Sequence, residues 1–215
     1  MVEFLLISHV LAGTVALISA FFAIVTEKGM KAHVLHGRIY SIAMAYVALG
    51  ALVLSIIRPN PFLFAIALFS GFMVWTGYRT AKNRSGEATK LEIYSSYAGV
   101  VIVLLMLGYG GFLIAQGNLM GTVLFVFSVV IIGYLIEDFR SLKKGFAKGK
   151  KRIAKHLQRM LGGTIATITA VLVQQVAPRV ADSTWLEVLI WLGPTIVITP
   201  LIFYWSNKTL KPVSK

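Results

Sequence analysis

Four histidines, His9, His33, His36 and His156, are the side chains best suited to metal or proton chemistry in this sequence. His33 and His36 lie in the stretch Lys28–Tyr40, KGMKAHVLHGRIY. Their spacing puts them on one face of a helix that starts early enough to include both. His156 stands in a second basic stretch, just before a long apolar run. Glu137 and Asp138 close another apolar run at the same level. Nitrogen and oxygen ligands of this kind suit zinc, iron or manganese. Two histidines from different helices also suit a b-type haem. The expected metal or haem set is therefore His33 and His156, with Asp138, Glu137 and His36 in support. Plainer roles stay open for each. An imidazole near a membrane surface is solvated or bonded to a main-chain carbonyl, and Glu137 and Asp138 can pair with Arg140 or cap helix ends.

A second polar group lies inside apolar sequence. His9 falls six residues into the first run, and ionisable groups in such places face a bundle interior. His156, Met160, Thr164, Thr167, Val171 and Gln174 recur at helical spacing, with Gln175 beside the last. This stripe serves either a ligand pathway or hydrogen bonds between helices. His9 and Gln174 or Gln175 are expected to meet at the outer level. Other chemistries are excluded. The chain has no Cys, which removes disulfides, thiolate metal sites and thiol nucleophiles. It has no P-loop, dinucleotide fingerprint, HEXXH or Ser-His-Asp order, and LGGT at Leu161–Thr164 is too short for a phosphate loop.

The elements that must hold these residues are membrane spans. Of 215 residues 57% are hydrophobic and 13% charged, against about 25% charged in a soluble domain. A transmembrane helix needs about 20 mostly apolar residues. Seven runs qualify: Phe4–Val25, Ile39–Ile57, Phe62–Tyr78, Ile93–Ala115, Thr122–Ile136, Met160–Ala177 and Trp185–Trp205. The fold expected is an all-α polytopic bundle forming a single domain over residues 1–215. The turn Arg58–Pro61, RPNP, ends the second span. Gly108, Gly110 and Gly111 crowd one end of the fourth and mark a kink or a close helix contact. Pro194 and Pro200 interrupt the seventh. Small residues at Gly13, Ala16, Ala20 and Ala23 continue the His9 stripe and let another helix approach. The first run is too long for a signal-peptide core and lacks a basic region before it.

Charge sets the expected orientation. Of 21 Lys and Arg, 19 fall in the first, third and fifth connections and the tail, and 2 in the remaining connections. The positive-inside rule then places the N-terminus outside and the C-terminus in the cytoplasm. The net charge of +13 is read as topology and as attraction for anionic lipid headgroups, not as nucleic-acid binding. Tyr40, Tyr78, Tyr94, Tyr97, Tyr134 and Tyr204, with Trp75 and Trp205, fall at the same ends as an interfacial belt. One internal echo pairs KGMKAHVLHGR before the second span with KGKKRIAKHLQR before the sixth. It is either a parallel repeat or a chance recurrence of Lys-Gly in basic loops.

Several motifs in order resemble a bacterial family of multi-pass membrane proteins, domain of unknown function 2306. These are His9 with Gly13, then Lys28-Gly29 with His33, Gly37, Arg38 and Tyr40. His156, Ile165-Ala166, Thr169-Ala170, Trp191, Pro194-Thr195 and Tyr204-Trp205 follow. The resemblance implies a protein of the bacterial plasma membrane and brings no activity with it. It singles out His9, His33 and His156, and leaves His36 outside the motif. Two functions stay open. One is a metal- or haem-binding redox protein using His33 and His156. The other binds or transports a small molecule or lipid with His9, Thr164, Thr167, Gln174 and Gln175. A structural subunit of a membrane complex is a third.

Overall fold

In lipid every main-chain N–H and C=O needs a partner within the protein, and a continuous helix supplies one for each residue. The computed structural model describes residues 2–179 and 183–210, and the apolar runs form seven such helices. They are α1 (Val2–Val25), α2 (Lys31–Ile57), α3 (Pro61–Lys82) and α4 (Lys90–Ala115). After them come α5 (Gly121–Lys144), α6 (Gly149–Val176) with a 3-10 turn at Ala177–Arg179, and α7 (Thr184–Leu210). Each is long and apolar enough to cross a membrane, and the described residues contain no strand. Asp182 and the tail beyond Leu210 lie outside the described residues.

Apolar side chains cover the outside of this bundle as well as its core. Phe4 is 74% exposed and Ile42 72%, with Ile7, Leu104, Val129 and Val197 also outward. A soluble monomer rarely shows apolar patches of more than a few hundred Å². Here they ring the helices, as lipid contact requires.

Helix α3 stands at the centre, against α2, α4, α5 and α6. Its Phe69, Phe72 and Met73 join Met106 of α4 and Val123, Leu124, Phe127 and Ile131 of α5 in the main core. Phe69 and Phe127 stack at 4.6 Å. Helices α1 and α2 form a pair sealed by Ala16, Ala20, Tyr40, Ala43 and Met44. The small-residue face of α1 is thus its packing face. Gly163 of α6 lies on α2 and α3: a Cβ there would meet Val74 Cγ2 at 2.7 Å and the Tyr40 hydroxyl at 2.8 Å. Among the crowded glycines of α4, Gly110 faces α5, whereas Gly108 and Gly111 have open space beside them.

The RPNP turn behaves as the sequence implies. Asn60 Oδ1 accepts from Leu63 N at 3.0 Å, and Pro61 opens α3 where its missing N–H costs nothing. Elsewhere the helices outrun the apolar sequence. At the end that carries the basic connections, α2 begins at Lys31, α3 continues to Lys82, α5 to Lys144, and α6 begins at Gly149. Lys, Arg, Glu and Ala are good helix formers, and their charged heads reach water while the backbone stays helical. The helix of α7 also runs unbroken through Pro194 and Pro200 and on to Leu210, so the expected interruption is absent.

Candidate functional site

The last turn of any helix leaves carbonyls without main-chain partners. At the end of α1 two basic side chains supply them. Lys28 Nζ donates to Ala23 O at 3.1 Å and to Ile24 O, and His33 Nδ1 donates to Ala23 O at 2.9 Å. His33 can do this because α2 starts at Lys31, two residues before it. His156 is also held on a main-chain carbonyl, from another helix. Its Nδ1 donates to Gly77 O of α3 at 2.9 Å. One turn earlier on α6, the Arg152 guanidinium donates to Ala81 O. Residues 152 and 156 of α6 thus dock on residues 81 and 77 of the antiparallel α3. Gly77 permits this approach, since a Cβ there would lie 2.8 Å from Met160 Sδ and 3.2 Å from Arg159 Cβ.

His33 lies within electrostatic range of His156, as does Arg152. A carbonyl can only accept, so both Nδ1 atoms carry the hydrogen. The lone pair of an imidazole held this way is on Nε2. Neither Nε2 hydrogen-bonds to any described residue. Metal-binding histidines show this arrangement, with the non-ligating nitrogen tied to a carbonyl or carboxylate.

The other expected ligands go elsewhere. The His36 ring stacks on Phe22 of α1, with centroids 5.0 Å apart. Asp138 binds Arg159 at 2.6 Å, and Glu137 binds Lys155 at 3.0 Å. Neither pairs with Arg140, and neither ends a helix, because α5 continues to Lys144. Among the described residues no group of three or more His, Asp or Glu side chains is placed to hold a metal ion. The carboxylates therefore serve the bundle. Arg159 also lies over the Tyr134 ring at 5.0 Å. Across a cavity of about 30 Å³, room for about one water, Arg79 of α3 binds Glu92 of α4 at 2.6 Å. Glu92 further accepts from Thr89 N at 3.2 Å, closing the start of α4. Arg79, Glu92 and Arg159 are absent from the residues the sequence singles out. Thr89-Lys90-Leu91-Glu92 carries the Thr-x-x-Glu signature of a helix start, which points to Glu92. Arg159 looks like one more residue of a basic loop until α6 is seen to begin ten residues before it.

The interior stripe divides. Thr164 and Thr167 are buried, their hydroxyls donating to Met160 O at 3.0 Å and Gly163 O at 3.1 Å. Both lie beside the fully buried Tyr40 hydroxyl, which makes no well-aligned hydrogen bond. Gln174 and Gln175 are exposed, so they do not belong to the interior. His9 does not meet them. It is half-buried against α2, with Nδ1 on Gly50, where a Cβ would come within 3.2 Å. Helix α1 packs along α2, which carries His9 to that partner; its buried Nδ1 has no hydrogen bond.

No family model, no curated protein and no solved structure matches this chain.

Proposed function

We propose that this multi-pass membrane protein binds a transition-metal ion or haem iron between His33 and His156, at an end that faces the cytoplasm. One observation carries the reading. Two imidazoles from α2 and α6 hold their Nδ1 atoms on carbonyls at 2.9 Å, lie within electrostatic range of each other, and leave both Nε2 atoms without a hydrogen bond to any described residue. Imidazole nitrogen suits zinc, iron and haem iron alike, and an iron centre would give the protein electron-transfer chemistry. The chain's own contribution is positional. Ala23 and Gly77 fix the tautomer and plane of each ring, and Arg152 pins α6 to α3. Asp138 and Glu137 stay outside the ligand set because Arg159 and Lys155 neutralise them. The cytoplasmic orientation rests on the 19 basic residues gathered at this end.

Elemental analysis and a visible spectrum of protein purified from membranes test this. The expected result is about one bound metal or one haem per chain, haem being recognised by its Soret band. Colourless, metal-free protein from cells supplied with zinc, iron and haem precursor would defeat the proposal.

A further inference from the structure

Toward the basic end, α2 and α3 line an open groove of about 540 Å³. Its lining changes with depth. Arg38 and Ser41 of α2 and Tyr78 and Lys82 of α3 form the mouth. Deeper in lie Ile42, Ala45, Gly71, Val74 and Trp75. From Lys82 to Gly71 the wall falls by eleven residues, about 16 Å at 1.5 Å per residue. Small side chains make the depth: Gly71 meets Ala48 of α2 so closely that a Cβ there would lie 3.3 Å from the Ala48 Cβ. Arg38 forms no ion pair or hydrogen bond to any described residue. Lys82 rests over the Tyr78 ring at 5.6 Å, with no carboxylate beside it.

We infer that this groove holds one anionic phospholipid. Its phosphate sits between Arg38 and Lys82, with the Tyr78 hydroxyl as a further donor. One acyl chain runs down the wall of Ile42, Ala45, Val74 and Trp75. Three observations favour a lipid over other occupants. The groove opens sideways between two spans, its mouth carries two cations and no carboxylate, and its polarity falls with depth as a phospholipid's does. A protein helix would not need the cations, and a free anion would not need the apolar wall. The groove lies apart from the histidine pair and does not depend on what that pair binds.

Trp75 reports on the site directly, because it lines the apolar wall and is 44% exposed. The full chain is reconstituted with brominated phosphatidylglycerol or brominated phosphatidylcholine in an excess of unlabelled phosphatidylcholine. The quenching lost on Trp75→Phe measures occupancy. A preference of about fivefold per basic side chain is expected for the anionic lipid. Arg38→Gln and Lys82→Gln should each lower it by about fivefold. Ala45→Phe, which fills the wall without changing charge, should abolish the preference of Trp75 quenching for the anionic lipid. Equal quenching by the two lipids would mean an ordinary annular lipid and overturn the inference. So would a preference that survives both charge variants, or one that survives Ala45→Phe, since headgroups would then gather on the basic surface without entering the groove.

Discussion

A carbonyl oxygen holds the Nδ1 of His33 and of His156, and a basic side chain of α6 pairs with each of Glu137 and Asp138. Arg159 and Asp138 show what this costs when disturbed, their side chains being 3% and 8% exposed. Removing one partner leaves the other charge buried and alone, whereas removing both leaves an apolar contact. Arg159→Met should therefore destabilise the protein by about 3–5 kcal/mol in thermal unfolding in detergent. Arg159→Met with Asp138→Leu should recover most of that loss. Equal destabilisation by the single and double variants would show that the pair is not the interaction at work. His9 gives the opposite case. Its Nδ1 is buried against Gly50 with no partner, so an apolar ring-sized substitute loses no hydrogen bond at that atom. His9→Leu should change stability by less than about 1 kcal/mol. A large loss of stability would mean that the imidazole's contact with the Val47 main chain is a strong hydrogen bond. The histidines were legible in the sequence because they are four in a chain otherwise poor in such groups. The fate of Asp138 and Glu137 was not, because their partners lie on another helix.

Helices were legible for a related reason. An apolar run long enough to span lipid is a property of the run alone, and each of the seven became a helix. Their ends at the basic side were not legible. The turns Lys31–Gly37, Arg79–Lys82, Glu137–Lys144 and Gly149–Arg159 contain many charged residues, and only the neighbouring helices reveal which face each presents. Those turns carry the inner histidines and the ion pairs, so the site was named but its geometry was hidden. Glycine roles show the same division. Gly163 lets α6 lie against Val74 and Tyr40, so Gly163→Ala should destabilise by about 1–3 kcal/mol through overpacking. Gly108 has open space beside it, and Gly108→Ala should be neutral or stabilise by up to about 1 kcal/mol through helix propensity. Paired unfolding measurements check the contrast, and a similar cost at both positions would contradict the packing of α6 on α2 and α3.

For the whole molecule, basic connections and polar helix ends gather on one side, and the apolar belt surrounds the rest. A reporter active only in the cytoplasm, fused after Lys215, should be active, and one fused before Met1 should be silent. The reverse pattern would invert the orientation and put the histidine pair outside. The claim that matters most is that His33 and His156 share one bound group. Metal and haem content per chain in His33→Ala, His156→Ala and His36→Ala, purified alike, tests it most directly. The first two should each lose the bound group entirely, because one imidazole is not enough to keep it. His36→Ala should retain it, since that ring stacks on Phe22. Full content in either His33→Ala or His156→Ala would contradict a shared site.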